Sequence, residues 1–133
     1  MDIEKIREMF SHDKYASSAG AYIEEVGERR ALCSLQLDEH HKNAVGGIMG
    51  AVHFTLADFA FAVASNAYLE VPDVVAVNAT ISYMNAVKGT KLYALAECLK
   101  EGRSTCFYTV KLYDDTGRDI AVVQCTGFHT KRN

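Results

Sequence analysis

The chain has 133 residues, 49% hydrophobic and 23% charged, with a formal net charge of −3. That length carries one core and leaves too little for two, so a single domain over 1–133 is expected. The composition is that of a folded globular protein, and the slight acidity excludes a broad basic face for nucleic acid.

The opening residues Met1-Asp2-Ile3-Glu4-Lys5 place both charge signs where a secretory leader needs a basic stretch followed by an apolar run. A cytoplasmic location is therefore expected. Four cysteines, Cys33, Cys98, Cys106 and Cys125, are far apart, form no CxxC pair and sit in strand-like stretches. Buried, reduced thiols are expected rather than disulfides or metal ligands.

Residues 2–17 place Ile3, Ile6, Met9 and Phe10 at spacings of three and four, which predicts one amphipathic surface helix. From Gly20 the period changes to two. Ala21, Ile23 and Val26, then Ala31, Cys33, Leu35 and Leu37, predict a hairpin that turns near Gly27. A polar stretch, Asp38 to Asn43, leads through Gly46-Gly47 into a long apolar segment. His40-His41 lacks further ligands at metal-site spacing, so no metal is expected there.

Between Lys42 and Glu70 the single charged side chain is Asp58, in an Ala-rich run that predicts a central helix over 48–69, apolar all round and hence buried. A membrane span is the competing reading. Gly50, His53, Thr55, Asp58, Ser65 and Asn66 interrupt the run, and an ionisable group at mid-bilayer is costly. After Pro72-Asp73, four strand-like runs follow: 74–84, 91–100, 105–113 and 118–130. Turn-like joints separate them at Lys88-Gly89, Glu101-Gly102-Arg103 and Asp114 to Gly117. Short joints make consecutive strands antiparallel neighbours, so a four-stranded meander is expected. The fold class is α+β, an antiparallel sheet of five or six strands wrapped around one helix.

The series Asn43, Gly46, Gly50, Thr55-Leu56-Ala57-Asp58, Ala60-Phe61 and Ala64-Ser65-Asn66 resembles the phenylacetyl-CoA thioesterase (PaaI-like) branch of the hot-dog-fold thioesterases. Asn78 to Met84, Lys88-Gly89, Gly102-Arg103-Ser104, Asp114 to Gly117 and His129-Thr130-Lys131 extend the likeness over nearly the whole chain. The resemblance implies hydrolysis of acyl-CoA thioesters without metal or cofactor. It also implies dimers or dimers of dimers, with active sites between subunits. Where the family reads His-Gly-Gly at the helix start, this chain reads Met49-Gly50-Ala51, and a serine or threonine of a later strand falls on Ala76. Met49, Ala51 and Ala76 thus take substrate-facing positions with fewer polar groups. Arg103 and Ser104 occupy a turn that the resemblance places toward the CoA phosphates; an ordinary solvated turn is the alternative.

Thioester hydrolysis needs a donor for the developing oxyanion and a carboxylate that activates water or attacks. Gly50, at the helix start, offers backbone N–H groups without helical partners and no side chain to block approach. Asp58 offers the carboxylate. Asn43 can hold the thioester or the water, or simply cap its own loop. The alternative for Asp58 is a structural carboxylate bonded to backbone or hydroxyl, and His53 reads as a core or interface histidine.

Gly50 and Asp58 lie eight residues apart, roughly 12 Å along one helix, so they cannot reach one carbonyl together. Two antiparallel copies across a twofold axis can bring them together. A non-catalytic acyl-CoA or acyl-carrier binding protein on the same fold is the second reading. A hydratase, which would need an Asp and a His acting together on the loop before the helix, is set below these two readings.

Overall fold

The computed structural model describes residues 1–132; Asn133, the last position of the expected domain, lies outside the described residues. The elements are α1 (Ile3–Phe10), α2 (Lys14–Ala19), β1 (Ala21–Gly27), β2 (Arg30–Gln36), a 3-10 turn (Glu39–His41), α3 (Gly50–Asn66), β3 (Val74–Tyr83), β4 (Lys91–Glu101), β5 (Thr105–Asp114) and β6 (Asp119–His129). The six strands form one antiparallel sheet around α3, in the order β1-β2-β4-β5-β6-β3.

The single N-terminal helix expected over 2–17 is two helices. Phe10 and Ala16 are both buried, Phe10 edge-on to Phe59 at 6.0 Å. On one straight helix their side chains would diverge by about 120°, so burying both requires a break. Turn bonds from His12 N–H to the Met9 carbonyl and Asp13 N–H to the Phe10 carbonyl make it.

A second correction concerns the meander. β4, β5 and β6 are consecutive neighbours as expected, but β3 pairs with β6 at the sheet edge, and β4 pairs with β2. The joint around Lys88-Gly89 is therefore a crossover past the ends of β5 and β6. Asp114, 1% exposed, holds it: Oδ2 accepts from the N–H groups of Lys88 and Gly89, and Oδ1 from Thr116 and Arg118 N–H and the Thr116 hydroxyl. These donors outweigh the burial penalty and hold the carboxyl well below the ordinary range. Asp115 repeats the device on Thr90 and Lys91.

β4, β5 and β6 alternate inward residues against α3: Leu92, Ala94 and Ala96; Cys106, Tyr108, Val110 and Leu112; Val123 and Cys125. At Gly127 a Cβ would lie 2.7 Å from both Cys106 Sγ and Val74 Cγ1 and 2.9 Å from Phe61, so glycine is what lets helix and sheet close there. Cys33, Cys106 and Cys125 are buried free thiols, whereas Cys98 is partly exposed.

α3 is shorter than expected and is not buried all round. Ala51 and Asp58 are exposed and Thr55 and Ala62 half-buried, an outward stripe at spacings of four, three and four. The helix stops at Asn66 because the Asn66 amide turns to β3. Its oxygen accepts from Val74 N–H at 2.9 Å, and its nitrogen donates to the Val74 carbonyl at 3.2 Å. No described helix is long and apolar enough to cross a membrane.

Candidate active site

The loop from Asp38 to Ile48 presents the start of α3. His41 fastens it: Nδ1 accepts from the Asp38 N–H at 3.0 Å, and Nε2 donates to the Ala19 carbonyl at 2.7 Å. Asp38, His40 and His41 cluster with metal-like spacing, but both His41 nitrogens are committed to the protein. Within the loop, Asn43 Oδ1 accepts from Val45 N–H at 3.1 Å and Gly47 N–H at 3.0 Å. The loop-cap role is therefore real, and it consumes the amide oxygen while leaving Nδ2 as a donor without a partner among the described residues.

Met49 is the N-cap residue of α3, extended at φ −62° and ψ 136°, and gives no side-chain cap. The N–H groups of Gly50 and Ala51 consequently meet no acceptor among the described residues. The Tyr83 hydroxyl, from the end of β3, donates to the Gly50 carbonyl at 2.9 Å. A Cβ on Gly50 would lie 2.8 Å from that oxygen, so Tyr83 packing is a second reason for glycine here. A groove of about 520 Å³ opens at this point, lined by Asn43, Gly50, His53, Tyr83, Met84 and Val87 among others.

Asp58 is elsewhere. It lines a separate cleft of about 290 Å³ with Asp13, Tyr15, Phe54 and Thr55, between α2 and α3. Its carboxylate accepts no hydrogen bond from any described residue, and the Thr55 hydroxyl is spent on the Ala51 carbonyl at 2.8 Å. The structural-carboxylate alternative thus finds no partner. Desolvation by the flanking helices, aided by the Asp13 charge, raises the Asp58 carboxyl above its ordinary range. The acid in the apolar run is therefore a surface acid of a single chain.

The remaining sequence candidates separate as well. Met49, 49% exposed, and Ala51 line a third cleft with His40, His41 and Tyr15, on the other side of the helix start from the groove. Ala76 is exposed near the beginning of β3, opposite Gly127. It is roughly 23 Å along the strand from Tyr83. Arg103 and Ser104 form the β4–β5 turn at that same far end, where Ser104 accepts from His129 N–H at 2.8 Å. One chain thus brings together Asn43 and Gly50, and keeps Asp58, Ala76, Arg103 and Ser104 away from them. Tyr83 and the groove-facing side of His53 were not legible in the sequence, because each depends on which strand lies beside the helix start.

Residues 45–121 match the family described as Thioesterase superfamily. A putative esterase of Archaeoglobus fulgidus is 29% identical over 98% of this chain and 85% of its own length. Human acyl-coenzyme A thioesterase 13 is 32% identical over 77% of this chain and 71% of its own. Among solved structures, the E. coli PaaI protein from the phenylacetic acid degradation operon superimposes with a TM-score of 0.80 at 24% identity, covering 90% of this chain and 91% of that one. The wrapped-helix architecture is the hot-dog fold expected from the motif series, and the chain belongs to the thioesterase superfamily.

Proposed function

We propose that the protein hydrolyses acyl-CoA thioesters carrying small aromatic or short- to medium-chain acyl groups. The sites are shared between two copies of the chain, no metal or separate cofactor takes part, and the protein works in the cytoplasm. The carrying observation is the pair of open N–H groups at Gly50 and Ala51, beside the free Asn43 Nδ2, with an unbonded Asp58 carboxylate in a different cleft. The donors suit a thioester oxygen as it gains charge. The carboxylate, with its pKa raised by desolvation and by Asp13, suits a proton acceptor for water or a direct nucleophile. The relative named as an acyl-coenzyme A thioesterase supports the substrate class.

The free edge of the sheet supports a second copy. β3 is an edge strand, and Val75, Val77 and Tyr83 on it and Met84 just beyond it are exposed. Antiparallel pairing of two β3 strands sets the start of one beside the end of the other. Ala76 and the Arg103-Ser104 turn of one copy then approach the Gly50 groove of the next, with the guanidinium suited to CoA phosphate. The same twofold sets the two α3 helices antiparallel, so Asp58 of the partner subunit can meet the carbonyl polarised by Gly50.

Thiol release from a panel of acyl-CoA esters tests the reading. Asp58→Asn is expected to lower kcat by about 100-fold or more with KM little changed. Equal rates would sink the role of Asp58. Tight acyl-CoA binding with no turnover by the unaltered protein would mark a binding module instead.

A further inference from the structure

His53 lies three residues past Gly50 on α3. It is 5% exposed, yet its ring lines the same groove as Asn43 and Gly50. Nδ1 is 3.2 Å from the Met49 carbonyl oxygen. A carbonyl can only accept, so Nδ1 carries the hydrogen and the neutral ring leaves Nε2 with its lone pair. Nε2 has no hydrogen-bond partner among the described residues and is not sealed from solvent, and the groove is the cleft that His53 lines. The Tyr83 ring packs edge-on at 5.4 Å and fixes the plane of the imidazole.

The rest of the groove defines what that lone pair can do. The Gly50 N–H and Asn43 Nδ2 are donors, and the Asn43 oxygen is consumed within its loop. The Asn85 oxygen accepts from the Arg118 guanidinium, and its nitrogen donates to the Asp119 carbonyl. Among the described residues, His53 is the one groove-lining side chain with a basic ring nitrogen left to accept. No charged side chain among the described residues lines the groove: β3 contributes Tyr83 and the loop contributes Asn43.

The geometry points to His53 as a further catalytic residue, whose Nε2 accepts a hydrogen bond from the attacking water and aims its lone pair at the carbonyl carbon beside Gly50. This rests on the proposed hydrolysis of acyl thioesters. One O–H of the water stays bonded to Nε2, and the other gives its proton to Asp58 of the partner subunit. The new C–O bond forms, and the C–S bond breaks with its electron pair going to sulfur. The proton then passes from the Asp58 carboxyl to the departing thiolate, giving acid and free thiol. Burial lowers the His53 pKa, against the opposing pull of the Met49 carbonyl, so the ring stays neutral and able to accept around neutral pH.

The test compares the unaltered protein, His53→Gln, His53→Leu and Asp58→Asn on an acyl-CoA ester that the unaltered protein cleaves, with melting curves alongside. His53→Leu keeps the bulk and loses the acceptor; it is expected to lower kcat about 100-fold with KM within about threefold. His53→Gln restores an acceptor oxygen and should recover about tenfold of that loss, with both variants melting near the parent. Undiminished kcat in His53→Leu, or equal losses in Leu and Gln, would overturn the assignment. If Asp58→Asn is inactive while His53→Leu is intact, only the His53 inference fails; if the unaltered protein cleaves no thioester, the underlying reading fails. Ring 15N resonances of the unaltered protein give a check independent of any variant. They should show Nδ1–H and a bare Nε2 that shifts on adding a nonhydrolysable thioether analogue of acyl-CoA, whereas an Nε2–H ring would contradict it.

Discussion

Asp58 has a different meaning in three dimensions from its meaning in the sequence. In the sequence it is the single charge in an apolar run; in the fold it sits on the outward stripe of α3, with no hydrogen-bond partner among the described residues and a carboxyl raised by desolvation and by Asp13. An acid that must be ionised to work, and whose pKa is raised, gives an activity profile that climbs through a pH above the ordinary carboxylate value. The acid limb of kcat/KM should therefore lie above that of a solvent-exposed aspartate, and Asp13→Asn should move it down. Met49 stands at the helix start but faces the cleft of His40 and His41, not the Gly50 groove. Met49→His is accordingly expected to change kcat by less than about threefold. A large gain would show that a histidine there reaches the substrate after all. Asn43 performs the loop cap that the sequence allowed through its oxygen, and its nitrogen has no partner among the described residues.

At the scale of elements, the strands were legible because alternation and turn residues mark them locally. Their neighbours were not. A joint such as Asn85 to Thr90 reads the same whether it closes a hairpin or crosses two strands, and what decides is Asp114, a distant carboxylate that gathers the N–H groups of Lys88 and Gly89. Asp114→Ala is expected to cost at least about 3 kcal/mol in denaturant unfolding, since several charge-assisted bonds to buried donors are lost together. With its folded pKa depressed, this contribution is complete above the ordinary carboxylate value and is lost as pH falls through the folded one, so the variant and parent should converge in stability toward strong acid. The other end of the sheet has its own clasp: His129, fully buried, takes Asp73 at Nδ1 and Glu101 at Nε2. Losing the histidine removes both contacts at once and leaves buried Asp73 with only the Lys131 N–H, among the described residues, on its carboxylate, so His129→Leu should lower stability by about 3 kcal/mol. The break between α1 and α2 was hidden for a similar reason, because the need to bury both Phe10 and Ala16 is set by the core and not by the local period.

At the scale of the whole molecule, the two halves of the proposed site do not meet within one chain. The helix start with Gly50, Asn43 and His53 lies at one end of β3, while Ala76, Arg103 and Ser104 lie at the other and Asp58 opens to a different cleft. Sequence spacing alone already forbade Gly50 and Asp58 from sharing a carbonyl within one helix, and the fold keeps that separation while leaving the β3 edge free for a second copy. The most direct test is subunit mixing. Asp58→Ala and Gly50→Val are prepared separately, each expected to be nearly inactive, then unfolded, combined in equal amounts and refolded. A shared site predicts that mixed dimers carry one doubly altered and one intact site, so activity should return to about a quarter of the unaltered protein. Recovery of no activity, with mixed dimers shown to form, would contradict a site built from Gly50 of one subunit and Asp58 of the other.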